Sequence, residues 1–449
     1  MKKMKYIYIA FVSMLLMTAC DNDLEQSPVL ELESINLVEF GPVLNAAYYY
    51  QTGVAMPQAV LGDFRADNML MLEDPFTSID TYNADLAGGD MTGAFFTPVY
   101  RNLYKAILST NNVIENSSDA NEVAEAKFLR GLSYFKLVLI FGDVPVNLSA
   151  APSTSDLSIF VKQPVANVYT DVIIPDLLDA ISGLTNSGLA TGRASQIAAR
   201  ALLGKVYMHR GDFGLAATTL GTVVSGATAA GITLEPNFAD VVTDISSEII
   251  FATKMSGSIS VADGSTSSST FSGWFSGGDT KSSTPLDPRL TDAFDASGAA
   301  GGGTDLRKAL TIDAAGGKGA KYSGGADQDF IEIRLSDVIL LYAEALNETT
   351  NATGAESATI LNGLNAIRTR AGLNSLSGTA STQAAVRTAI AKERRVELAL
   401  EGHRWFDLVR TGTVDAEMGL TVNSNYYVFP IPNSEILATN GVITQNPGY

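Results

Sequence analysis

The chain has 449 residues, of which 46% are hydrophobic and 17% charged, with 48 acidic against 30 basic side chains and a net charge of −18. That apolar fraction excludes a disordered chain, and the acidic excess argues against nucleic acid as a partner, since phosphate binding needs clustered Lys and Arg. One cysteine excludes an internal disulfide, and with only two histidines beside it a zinc site of Cys and His pairs is excluded as well.

Lys2, Lys3 and Lys5 form a basic start, and Tyr6 to Met17 is an apolar run too short to span a bilayer. Small residues then lead to Cys20. This looks like a bacterial lipoprotein signal, in which residues 1–19 are cleaved and Cys20 carries the lipid. Leu16 stands four positions before the cysteine, where the usual motif has leucine three before. The alternative is an ordinary secretory signal followed by an incidental thiol. Asp21, Asn22, Asp23 and Glu25 follow, and such an acidic tract resembles the surface-export signal of Bacteroidota-type lipoproteins. The expected location is therefore the outer membrane, lipid-anchored and facing the exterior. No later segment reaches the roughly 18 continuous apolar residues of a membrane helix.

Apolar residues recur at helical spacing over Glu31–Tyr50, ending before Gly53. The stretch from Gly62 to Thr97 has little periodicity, and Asp74-Pro75 and Gly88-Gly89 punctuate it as loop. Tyr100, Leu103, Tyr104, Ile107 and Leu108 predict a helix to about Glu115, and Val123–Phe141 the next, stopped by Gly142-Asp143-Val144-Pro145. Residues 200–224, with Gly204, Tyr207, Gly211, Phe213, Ala216 and Leu220, fit a tetratricopeptide-type helix pair. Small Gly204 and Ala216 let its helices approach, while Tyr207 and Leu220 fill the seam. Ser256–Ser283 turns to Ser, Gly and Thr around Phe271, Trp274 and Phe275, and loops this long are functional or disordered. Ser336–Leu346 and Glu356–Arg370 predict a further helix pair.

The segment RRVELALEGHRWFDLVR (394–410) is similar to the hallmark of the SusD/RagB family of outer-membrane nutrient-binding lipoproteins. EAKFLRGLSYFKLVLIFGDVPV (125–146), LDPRL (286–290), IRLSDVILLYAEALNE (333–348), LNAIRTRAGL (364–373), FPIPNSEI and QNPGY agree in the family's order. The resemblance covers essentially the whole chain after the signal. It implies an all-α, mostly helical fold: about four irregular tetratricopeptide-like helix pairs and a loop-rich second portion. Residues 20–449 would form one domain, with loop insertions near 62–97 and 254–330. It also implies a partner, a SusC-like TonB-dependent barrel to which the lipoprotein delivers oligosaccharides or, in the RagB branch, peptides.

Lys392–Arg410 reads as one helix, in which Glu397 and Glu401 are i, i+4 and share a face, whereas His403 points elsewhere. No zincin motif, nucleophile elbow, Walker loop or dinucleotide fingerprint occurs. Arg394, Arg395, Glu397, Glu401 and Arg404 are expected to form a partly buried ion network, with Trp405 and Phe406 in the core. His209, ending a repeat helix, is expected on the surface or hydrogen-bonded. An enzyme is disfavoured, and neither metal nor cofactor is expected.

A sugar offers an apolar face to aromatic rings and hydroxyls to polar side chains. Two loops qualify as a ligand site. Residues 63–97 hold Arg65, Asp67, Asn68, Asp90, Phe95 and Phe96, in the region from which family ligand contacts commonly arise. For Asp67 and Asn68 the alternative is loop capping, and for the two phenylalanines packing under the following helix. The Ser/Gly-rich loop holds Trp274 and Phe275, and Trp274 has few large sequence neighbours with which to bury. The expected protein binds glycan fragments without breaking them. A peptide-capturing lid, a surface glycoside hydrolase and a tetratricopeptide interaction module without a small ligand are the alternatives.

Overall fold

Apolar periodicity at three and four residues, interrupted by Gly, Pro and Asp, produces a molecule built mostly of helices. The computed structural model describes residues 39–449 except 154, 258–270, 278–282, 323–324, 351–354 and 377–381. Cys20, the preceding signal-like run and the acidic tract after it lie outside the described residues. Numbered along the chain, the principal elements are α1 (Gly41–Asp63), α2 (Thr97–Asn116), α3 (Ala120–Phe141), α4 (Ile174–Gly183), α5 (Gln196–Arg210), α6 (Phe213–Gly226), β1 (Ile249–Thr253), α7 (Phe271–Ser276), α8 (Pro288–Ala299), β2 (Phe330–Arg334), α9 (Leu335–Thr350), α10 (Ala355–Arg370), α11 (Gln383–Glu397) and α12 (Arg404–Thr411). Residues 41–449 cluster as one unit.

The helices pack in chain order as four pairs: α1 with α2, α3 with α4, α5 with α6, and α9 with α10. Each pair also touches the next, through α2–α3, α4–α5 and α6–α9. This is the serial stacking of a repeat scaffold, in which one pair cannot bury its apolar face alone. The seam of the third pair follows the sequence expectation. Leu220 and Ala216 are fully buried, and a Cβ on Gly204 would stand 2.4 Å from Leu220 Cδ2. Caps fix several starts: Asp119 accepts from Asn121 N at 2.8 Å and Ser195 Oγ from Ala198 N at 3.2 Å.

Two expected boundaries are corrected. The first helix does not stop before Gly53 but runs on to Asp63, because Gly53 lies against Asn102 of α2, where a Cβ would sit 2.3 Å from Nδ2. That glycine marks a close helix crossing rather than an end. The second correction concerns Lys392–Arg410, which is two helices. The chain leaves α11 after Glu397 and turns through Leu400 (φ 66°) and Gly402 (φ 79°) into α12. Glu397 and Glu401 therefore converge from a helix end and a turn, not from one helical face.

Between the third and fourth pairs, antiparallel β1 and β2 meet with Ile249 opposite Arg334 and Thr253 opposite Phe330. Strand β2 runs directly into α9, which sets Arg334 under the α11–α12 turn. Among the described residues no helix is long and apolar enough to cross a membrane.

Candidate ligand-binding surfaces

The two loops singled out by sequence are joined. Leu70 N donates to Pro285 O at 2.8 Å, Leu72 N to Ser283 O at 2.8 Å, and Ser283 N to Glu73 Oε2 at 3.1 Å. Beneath this junction lies an aromatic core. Trp274 is 6% exposed and meets Phe64, Phe76 and Phe95 edge-on at 6.3, 5.4 and 5.4 Å between ring centroids. Phe275 stacks on Phe64 at 5.6 Å, and Phe96 tilts against Phe429 at 5.6 Å.

The expectation that Trp274 and Phe275 stand free to receive a ligand is therefore corrected. Their local sequence is poor in large residues, but Phe64, Phe76 and Phe95 arrive from the early loop and enclose them. Phe95 and Phe96 are likewise wholly buried. Arg65 is also an internal strut. Its Nη1 donates to the carbonyls of Ile79 and Thr81, and its guanidinium lies 4.3 Å over the Tyr82 ring. Asp90 is the one expected ligand residue that faces solvent, on the short helical turn Gly89–Met91 of the early loop.

Asp67 and Asn68, buried as well, line a different feature, a cleft of about 600 Å³ between α8 and α11 that is floored by α12. Its sides carry Asp292, Ala293 and Ala296 from α8 and Thr388, Ala391 and Lys392 from α11. On the floor Asp67 accepts from Arg404 (2.7 and 3.0 Å) and pairs with Arg395 at 2.8 Å. Burial raises the Asp67 pKa, but the Arg404 hydrogen bonds and the charges of Arg404, Arg395 and Arg289 more than offset it and hold the carboxyl below its usual range. Arg395 is pushed down to about 10, chiefly by burial, and its Nε is buried without a hydrogen-bond partner. Asn68 Nδ2 donates to Asp63 Oδ1 at 2.7 Å, while Asn68 Oδ1 is buried and unpartnered. Exposed Lys392 has no ion pair among the described residues.

Behind the cleft lies the expected ion network, more buried than foreseen and with different partners. Arg334 reaches Glu401 at 2.8 Å, Glu397 at 2.7 Å and Glu248 at 3.0 Å. Arg307 reaches Glu397 at 2.9 Å and Glu393 at 2.6 Å, and Arg370 and Lys321 complete the ring. Arg394 instead holds Asp337 (2.7 Å) and Asp407 (2.9 Å). Arg307, Arg334, Arg370, Lys321 and Glu248 carried no sequence signal, because each looks like an ordinary charged residue of a helix, strand or loop. Burial raises the Glu401 pKa, but Arg334 and Lys321 more than reverse this, holding it down to about 2. A carboxylate so firmly ionised is not a general acid. Trp405 is fully buried, its indole N–H donating to Tyr427 O at 3.2 Å. His209 presses edge-on to Phe135 at 5.2 Å, its pKa well below the usual value chiefly through burial. Among the described residues no cluster of three or more His, Cys, Asp or Glu could hold a metal ion.

Comparison with known proteins places this arrangement. A family model described as the SusD family matches residues 291–449, and one described as "Starch-binding associating with outer membrane" matches residues 43–208. The SusD-like protein P2 of Formosa agariphila is 27% identical over 99% of this chain and 100% of its own length. A solved laminarin-binding SusD-like protein superposes with a TM-score of 0.68 at 25% identity, covering 92% of this chain and 100% of that one. A SusD homolog from Bacteroides thetaiotaomicron reaches 0.76 at 21% identity, over 93% and 99% of the two chains, and shares the fold.

Proposed function

Because this chain is a SusD-like family protein, we propose that it is a glycan-binding lipoprotein, anchored through Cys20 to the exterior of the outer membrane. It captures oligosaccharides or polysaccharide fragments without chemistry and delivers them to a SusC-like TonB-dependent barrel. The observation that carries the reading is the near full-length likeness to a protein that binds laminarin. The family description of association with the outer membrane supports the location, and the lipoprotein-like start supports the anchor. The ligand rests on the exposed face of the two joined loops, and Asp90 of the early loop offers a carboxylate to sugar hydroxyls. Trp274 holds that surface from below.

Calorimetry of the purified protein against soluble glycans and peptides tests the reading. Binding of a glucan such as laminarin, with no release of reducing ends, is the expected result, together with co-purification of a barrel from detergent extracts. Binding of peptides alone, or turnover of a glycan, overturns it. Cys20→Ala should yield folded protein that leaves the membrane fraction, and continued partition with the membrane retires the anchor.

A further inference from the structure

The geometry points to the cleft between α8 and α11 as a second ligand site, one that takes a sugar unit bearing a carboxylate. This inference rests on the glycan-binding reading and names a ligand class for a site distinct from the loop junction.

The cleft's charges do not balance locally. On its acidic side, Asp67, Glu344, Glu348, Asp407 and Glu417 are each engaged by an arginine. On its basic side, Arg404 has both Asp67 and Glu417, but Arg395 has only the Asp67 carboxylate that Arg404 already grips, and it keeps a buried, unpartnered Nε. Lys392 lies three positions before Arg395 and so on the same face of α11, and it has no partner at all among the described residues. An unsatisfied buried donor beside a free ammonium favours an anionic group that accepts from both. The whole chain carries a net charge of −18, so an anion is drawn to this wall at short range, against the long-range field of the molecule.

Two acceptors are also left over. Asn68 Oδ1 is buried and unpartnered, and Asp292 is exposed on the facing helix, in no ion pair among the described residues. Both call for donors. A uronic-acid unit supplies the two chemistries together, a carboxylate for Lys392 and Arg395 and hydroxyls for Asn68 and Asp292. The short side chains of Ala293, Ala296, Thr388 and Ala391 keep the trench open, and its volume falls within the range of about 300–1,000 Å³ usual for ligand sites. A neutral peptide also carries a carboxylate, but only at its C-terminus, whereas a uronic-acid chain presents one on every unit beside the hydroxyl donors that Asn68 and Asp292 accept from.

The test is calorimetry of the purified protein with tri-galacturonate, laminaritriose and a carboxylate-ended tripeptide. Tri-galacturonate should bind, weakening at least tenfold in Lys392→Glu and on raising the salt to 0.5 M. Ala391→Trp, which fills the trench without altering charge, should abolish that binding. An unchanged melting temperature in both variants excludes misfolding as the cause. Tri-galacturonate binding that both variants leave intact overturns the inference. Binding of laminaritriose without tri-galacturonate overturns it too, yet leaves the glycan reading standing. Binding of the tripeptide alone defeats both.

Discussion

Arg404 grips Asp67 with both arms of its guanidinium, Nε to Oδ1 at 2.7 Å and Nη2 to Oδ2 at 3.0 Å, across 337 positions of sequence. The Asp67 side chain is fully buried and Arg404 nearly so, and Arg395 takes the same carboxylate at 2.8 Å. The turn after α1 is thus bolted to the C-terminal helices that floor the cleft. Asp67→Asn leaves two buried guanidiniums facing one neutral amide. Breaking a buried pair this way costs about 3–5 kcal/mol, which urea unfolding should register as a lower midpoint at unchanged slope. A loss below about 1 kcal/mol would mean that water or other acceptors compensate the arginines.

Trp274 belongs to the core, so its removal should act on stability before affinity. Trp274→Ala vacates a site enclosed by Phe64, Phe76 and Phe95 and should cost about 3–5 kcal/mol, seen in thermal melts. Protein that remains folded should keep its glycan affinity within about threefold. A tenfold loss of affinity with an undiminished melting temperature would return Trp274 to the ligand surface.

Local pattern carried much of the scaffold into view. The α3 helix, the Gly204–Leu220 seam and the α9–α10 pair could be read from spacing, because helix faces and tight crossings depend on residues three to twenty positions apart. The binding residues were less legible for a physical reason. Serines and glycines surround Trp274 in sequence, yet its burial comes from rings roughly 180 to 210 positions away. The partners of Glu397 lie 27, 63 and 90 positions off, and no periodicity links them. Asp67 and Asn68 stood out by residue type, and they do line a cleft, but no sequence signal foretold that Arg404 would occupy the carboxylate.

Asp80 offers a pH test. Its carboxyl accepts from Met71 N at 2.8 Å and is pushed up to about 7, first by burial, with Asp287 adding to this and Arg65 and Arg289 opposing it. In the unfolded chain it titrates near 3.9. Between roughly pH 4 and 7 the folded state therefore holds a proton that the unfolded state has released. Its contribution to stability is complete below about pH 4 and is lost as the pH rises through 7. Asp80→Asn, neutral throughout, should gain on the parent by on the order of 4 kcal/mol between pH 4 and pH 8. Denaturation at the two pH values reads the difference, and an equal gap at both would retire the assignment.

Gly62 and Gly204 are both helical glycines under close contact, but the contacts differ in kind. A Cβ on Gly204 meets the side chain of Leu220, 2.4 Å from Cδ2 and 2.5 Å from Cγ, which must shift within the buried seam but is not backbone. One on Gly62 meets the Gly402 carbonyl, 2.1 Å from O and 2.2 Å from C. That backbone cannot retreat, because Gly402 N donates to Asp63 Oδ2 at 2.6 Å, Leu400 N donates to the other Asp63 oxygen at 3.1 Å, and Gly402 itself has a φ of 79°. Either alanine gains about 1 kcal/mol of helix propensity, against an overpacking cost of roughly 1–3 kcal/mol or more. Gly204→Ala should therefore fall within about 1 kcal/mol of the parent, and Gly62→Ala should lose at least about 2 kcal/mol. The same displacement would move Arg404 off Asp67, so Gly62→Ala should also weaken any ligand held in the cleft. Equal stabilities for the two variants in urea would show that the α11–α12 turn yields more easily than its hydrogen bonds imply.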